Sequence, residues 1–178
     1  MRLSESGDLV TVKAYGPEHV EGLFAAVSES ITELARYETW CHPGYTHEEA
    51  EEYVDWWRKM WADGKAFYFA VHERTSGAFL GSCGLSDLIR EHRRAGLGFW
   101  IRSDRTGEGF ATDAARVVAN LGLEDLGLIR IEVEVALGNA ASRRVAEKLG
   151  CRLEGVLHHR LILPEGPTDT AMYVLPGY

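Results

Sequence analysis

Apolar residues follow two rhythms along this chain, and each rhythm predicts a different element. Leu9 to Ala14 alternates apolar and polar positions and is rich in β-branched residues, so it reads as a strand. From Pro17 the spacing lengthens: Val20, Leu23, Phe24, Val27 and Ile31 recur every three or four residues, the stripe of an amphipathic helix. His42-Pro43-Gly44 breaks the pattern. Thr46, with Glu49 three positions on, is a capping-box signature that opens a second helix. That helix carries Tyr53, Trp56, Trp57, Met60 and Trp61 on one broad face. Trp56 and Trp57 are adjacent, about 100° apart around the helix, so one is expected to face the core and the other a cleft. The face is either a buried one or an aromatic wall that suits an apolar or cationic ligand.

Shorter periods dominate the middle of the chain. Ala66 to His72 is a strand, Thr75-Ser76-Gly77 a turn, and Phe79 to Leu85 the returning strand. The charged tract Arg90-Glu91-His92-Arg93-Arg94 reads as a solvated turn before a strand from Ala95 to Ile101. A helix is expected from Phe110 to Asp125, with Ala111, Ala114, Val118 and Leu121 on one stripe. Ile129 to Val135 alternates as a strand. Asn139 to Leu149 forms a short helix with Asn at its N-cap and Gly150 past its end. Two last strands fall near 151–157 and 170–175. The order predicts an α/β (α+β) fold: a mixed central sheet of about seven strands flanked by helices. With no repeat, low-complexity tract or linker, residues 1–178 read as one domain.

Composition narrows the function classes. A hydrophobic share of 46% beside 26% charged residues is that of an ordinary soluble globular protein. The net charge of −8, from 19 basic and 27 acidic residues, argues against a nucleic-acid partner. It serves solubility or favours a cationic substrate. The three cysteines, Cys41, Cys83 and Cys151, form neither a CxxC pair nor a metal-ligand cluster, so no metal is expected and a reduced, cytoplasmic setting is the simpler reading. No run approaches the ~20 apolar residues of a membrane span, and no signal-peptide pattern opens the chain.

The chemistry concentrates at Arg105-Thr106-Gly107-Glu108-Gly109-Phe110-Ala111-Thr112, between a strand and a helix. Glycines there let backbone N–H groups close on an anion, and the helix N-terminus adds partial positive charge. The Gly-Lys-Ser/Thr of a nucleotide triphosphate loop is missing. A dinucleotide fingerprint needs glycine where Thr112 stands. The remaining reading is a pyrophosphate site.

Five segments in register carry a resemblance: Gly98-Phe99-Trp100, Gly107 to Thr112, Asn139-Ala140-Ala141-Ser142, Ala146 to Cys151, and Leu153-Glu154-Gly155. Together they resemble the GNAT superfamily of N-acetyltransferases, and within it the ribosomal-protein N-terminal acetyltransferases of the RimJ/RimL type. The resemblance implies acetyl-CoA as co-substrate, with a splay between the two central strands to receive it. It implies that backbone amides of Gly107, Glu108, Gly109, Phe110, Ala111 and Thr112 hold the pyrophosphate. The pantetheine arm is then expected beside Trp100, Ile101 and Arg102. Asn139 either bonds that arm or serves as N-cap. Lys148 either approaches the nucleotide end or is a solvated helix-end charge. Ser142 is expected near the cofactor sulfur, where its hydroxyl protonates or hydrogen-bonds the departing thiolate. The resemblance also admits a homodimer.

The chain departs from the family pattern where a base is expected. Gly96 stands in place of a strand glutamate, and His158-His159-Arg160-Leu161 in place of a later carboxylate. Thr106 replaces the usual Gln or Arg, with Arg105 beside it, and Cys151 the usual Phe. The candidates are Glu134, His158, His159, Glu91 or a water chain. Glu134 is preferred because Glu132 and Glu134 share the face opposite Ile131, Val133 and Val135, with Glu134 nearer the expected splay. An α-amine titrates near ~8 and a lysine near ~10.4, a difference of roughly 3 kcal/mol in the deprotonation required. A weak base therefore favours a protein N-terminal α-amine. The alternatives are a small amine (a polyamine or an aminoglycoside-like antibiotic) and a catalytically weak acyl-CoA-binding sensor.

Overall fold

The computed structural model describes residues 1–177. Its strands are β1 (Ser4–Ser6), β2 (Val10–Ala14), β3 (Phe67–Glu73), β4 (Phe79–Ile89), β5 (Arg94–Ile101), β6 (Arg130–Ala136), β7 (Arg152–Leu163) and β8 (Gly166–Pro176). Its helices are α1 (Val20–Leu34), α2 (His47–Ala62), α3 (Phe110–Asp125) and α4 (Ala140–Leu149). The strands form one sheet in the order β1-β2-β3-β4-β5-β6-β8-β7. Neighbours run antiparallel except β5 and β6, which are parallel and joined through α3.

Alternation along β3 explains the two layers of side chains. Phe67, Phe69 and Val71 enter a core with α3 and α4, while Tyr68 and Ala70 point to the opposite face, under α1 and α2. The sheet is therefore covered on both sides. Phe69 is fully buried, and its truncation to Ala is expected to cost about 3–5 kcal/mol. The second core is markedly aromatic: Trp57 stacks on Tyr68 at 3.8 Å and 15°, and Trp40 packs on Tyr53 and Trp100. Trp56, its neighbour in sequence, is 54% exposed.

The helix ends follow their capping residues. The Thr46 hydroxyl accepts from the Glu49 N–H at 3.2 Å, and the Glu49 carboxylate accepts from the Thr46 N–H at 2.7 Å. In α4 the Asn139 Oδ1 accepts from the Ser142 N–H at 3.1 Å, and Gly150 closes the helix at φ 90°. The N-terminal turn of α3 is tied to β2 by the buried Asp113, whose carboxylate accepts from the N–H groups of Leu9 (2.8 Å) and Val10 (3.1 Å). A carboxylate in a first helical turn is favoured by the helix dipole as well as by these donors.

Three features differ from the periodicity. The polar, three-residue β1 carries no apolar rhythm and exists only because it pairs with β2. The final hairpin is longer than expected, reaching Leu163 and Gly166. Irregular registers at Leu153/Gly155 and Leu157/Leu161, with His159 at φ 49°, interrupt its alternation. The sheet accordingly has eight strands among the described residues rather than about seven. All three cysteines are free, and no described helix is long and apolar enough to cross a membrane.

Candidate active site

The parallel pair at the centre of the sheet splits. β5 and β6 share three register pairs, Arg94–Arg130, Ala95–Ile131 and Gly96–Glu132. Beyond them β5 continues to Ile101 paired to β4, and β6 to Ala136 paired to β8. Each strand thus turns an unpaired backbone edge toward the gap. Such N–H and C=O groups require partners, so the gap suits a ligand that offers amides along a strand.

A cleft of about 220 Å³ opens along the end of β5 beside this gap. β5 contributes Phe99, Trp100 and Ile101, the glycine loop contributes Gly107, Gly109 and the start of α3, and α4 contributes Ser142, Arg144 and Lys148. Gly107 and Gly109 have φ of 84° and 95°, a region that glycine adopts without the penalty other residues incur. A Cβ at Gly107 would meet nothing within 4 Å in the protein, so that space is open. No side chain caps α3, leaving its first-turn N–H groups for an anion. Phe110, Ala111 and Thr112 of this turn all line the cleft. Arg144 and Lys148 make no ion pair among the described residues, which leaves their charge for a polyanionic ligand.

Two sequence-predicted residues have their side chains engaged elsewhere. The Glu108 carboxylate holds Arg105 at 3.0 Å, and Arg105 also pairs with Glu73 at 2.8 Å above the Phe110 ring. The Arg102 guanidinium pairs with Glu29 and Asp104, while its N–H donates to the Leu80 carbonyl at 2.8 Å. Neither Glu108 nor Arg102 is among the residues lining the cleft. The charge of Arg105 is likewise taken up by two carboxylates, although its side chain borders the cleft.

At its inner end the cleft meets a smaller cavity of about 110 Å³. Tyr37, Glu38, Phe99, Asn139 and Ser142 border both spaces. Glu134 borders the small cavity and pairs with Arg160 at 3.1 Å. The other suggested bases lie apart: His158 and the His159 N–H engage Asp169, and Glu91 lines a separate groove near Trp56. Glu38 was not singled out in the sequence. It sits in the loop after α1, a position without periodicity or motif.

Residues 10–152 match the acetyltransferase (GNAT) domain family. The chain belongs to this family. It is similar to an uncharacterized N-acetyltransferase of Bacillus subtilis, YoaA, at 27% identity over 93% of this chain and 92% of that protein. Among solved structures it is similar to RimL, the ribosomal L7/L12 alpha-N-protein acetyltransferase in complex with coenzyme A. That pair has a TM-score of 0.87 at 17% identity, over 97% of each chain. The microcin C7 self-immunity acetyltransferase MccE, in complex with acetyl-CoA and AMP, gives 0.88 at 20% identity over 98% of each chain. At these identities the two structures establish the GNAT fold, and the family match establishes the acetyltransferase class.

Proposed function

We propose that this GNAT acetyltransferase uses acetyl-CoA to acetylate a protein N-terminal α-amine, with the whole reaction carried by one domain, residues 1–178. The residues fit the co-substrate. The open left-handed glycines and uncapped α3 turn suit a pyrophosphate, the splayed strand edges suit the amides of a pantetheine arm, and Arg144 and Lys148 add positive charge. Bound acetyl-CoA supplies an acyl thioester, whose carbonyl carbon accepts an amine's electron pair. A backbone N–H on the free edge of β5 near Ile101 steadies the negative charge that develops on oxygen. Ser142 borders both spaces, and its hydroxyl serves as donor toward the departing sulfur.

The charge balance of the acceptor groove supports the choice of amine. Beyond the small cavity the groove is bordered by Asp87, Glu132 and Glu134, and by Arg94 and Arg160. Glu132 is held by Arg94 at 2.5 Å and Arg130 at 2.7 Å, and Glu134 by Arg160 at 3.1 Å. A polyamine needs several carboxylates free to meet its charges, whereas a peptide brings a single ammonium followed by neutral amides. The likeness to RimL points the same way.

Competition between acceptors tests this reading. Peptides with free and blocked N-termini, spermidine and an aminoglycoside are offered with acetyl-CoA at pH 7.5, and products are located by mass spectrometry. Acetylation of the free peptide N-terminus at the highest kcat/KM is expected. Faster acetylation of spermidine, of the aminoglycoside or of a lysine side chain would reject it.

A further inference from the structure

We propose that Glu38, on the loop between α1 and α2, is the general base that takes a proton from the acceptor ammonium; this rests on the transferase reading above. Three observations converge on it. Glu38 borders both the cofactor cleft and the small inner cavity, as does Ser142. One carboxylate oxygen, Oε2, accepts from the Trp40 indole N–H at 2.8 Å, and among the described residues Oε1 accepts no hydrogen bond. The loop is fixed: the Glu38 N–H donates to the Leu34 carbonyl at 2.8 Å, its carbonyl accepts from Cys41, and Trp40 is packed against Tyr53 and Trp100. The carboxylate is thus held with one oxygen directed by Trp40 and the other available.

Its electrostatic setting matches the task. Burial raises the Glu38 carboxyl above the ordinary carboxylate range, more than the Trp40 hydrogen bond lowers it. Burial and the charge of Glu38 both push the ionisation of Cys41, Tyr53 and Tyr68 upward. Glu134 shares the small cavity from β6, and Arg144 and Lys148 border the larger cleft from α4. A carboxylate of raised pKa is a better proton acceptor, closer in affinity to an α-amine than an exposed one. By contrast one carboxylate oxygen of Glu134, Oε2, is occupied by the Arg160 guanidinium at 3.1 Å.

The protons balance. Glu38 takes one proton from the ammonium and leaves a neutral amine. The nitrogen pair forms the bond to the acyl carbon, and the carbon–sulfur bond breaks with its electrons on sulfur. The second nitrogen proton passes to that sulfur, with Ser142 as the relay. Glu38 then releases its proton to solvent, giving amide, thiol and one proton from ammonium and thioester.

The test pairs kinetics with a readout independent of turnover. The Trp40 indole N–H resonance, assigned through Trp40→Phe, is followed against pH in the free protein. It is expected to titrate with a midpoint above the ordinary carboxylate range, and Glu38→Gln should abolish that titration. In Glu38→Gln, kcat is expected to fall about 100-fold at pH 7 while calorimetric affinity for CoA stays within twofold. Part of the loss should return as pH rises and supplies free amine, and Glu38→Asp should retain more activity than Gln. Glu38→Gln turning over within threefold of the parent, or a Trp40 resonance titrating with an ordinary carboxylate, overturns the proposal. So does a loss of rate confined to Glu134→Gln. If the parent protein binds CoA but acetylates no amine, the transferase reading itself fails and the base falls with it.

Discussion

The two ends of the active-site cleft are built by different means. The outer end centres on one short stretch, Gly107 and Gly109 to Thr112, where the backbone turns into α3. The inner end is made of side chains from separate elements: Glu38 after α1, Phe99 on β5, Glu134 on β6 and Ser142 on α4. A backbone site demands particular conformations, so it constrains which residues follow one another. A side-chain site demands only that the fold bring groups together. Binding at the outer end should therefore depend on local geometry, and turnover at the inner end on individual functional groups.

The largest expected separation comes from Gly107→Val. The left-handed φ costs about 1–2 kcal/mol, and the branched side chain fills space now open toward the cleft. Affinity for CoA should fall at least 100-fold, roughly 3 kcal/mol, with the circular dichroism of the fold retained. Calorimetry that finds unchanged affinity would mean the loop does not hold the cofactor.

Acid should strike the scaffold before it discriminates between the two ends. Burial lowers His72 to about 4 from 6.5, helped by the facing His19 and by Lys13. The folded protein keeps the ring neutral while the unfolded chain takes up a proton near 6.5, so this stability is complete above that pH and is lost as pH falls toward 4. The loss is on the order of 2 kcal/mol, allowing for partial exposure, and urea unfolding at pH 7 and pH 4.5 measures it. His72→Phe should flatten the dependence; an equally steep curve in the variant would locate the titration elsewhere.

Smaller still is the effect expected of Ser142→Ala, about a tenfold fall in kcat, or ~1.4 kcal/mol, with CoA affinity within twofold. The Ser142 N–H still caps α4 on Asn139, so only the hydroxyl is lost. Equal losses in binding and turnover would erase the contrast between the ends. The mildest prediction concerns stability. Because burial raises the Glu38 carboxyl, its charge opposes folding at pH values above the folded pKa, and Glu38→Gln should raise Tm at pH 8 more than at pH 5. Thermal melts at the two pH values check the sign; a lower Tm at pH 8 would show that the charged form is favoured in place.

Much of the frame was legible because it obeys local rules. α3 runs from Phe110 to Asp125 as its stripe predicts, the Thr46/Glu49 box opens α2, and Asn139 and Gly150 bound α4. The adjacent tryptophans separate as the helix wheel requires, Trp57 onto Tyr68 and Trp56 toward solvent. The long final hairpin was less legible, since much of β7 is exposed and its registers slip. Glu38 was not legible, because a loop carboxylate acquires its setting from Trp40 and from a sheet surface far away in sequence.

By itself the sequence determined the elements that rest on short-range preferences: period, caps, and glycines where the backbone turns left-handed on the way into α3. Those preferences act between residues a few positions apart, so they are written in consecutive letters. Only the tertiary structure decided where β5 and β6 part, which carboxylates are neutralised by Arg94, Arg130 and Arg160, and which one is left half-buried with a free oxygen. Charge pairing and desolvation depend on distance through space, and the loop after α1 meets β6 and α4 only once the chain has folded.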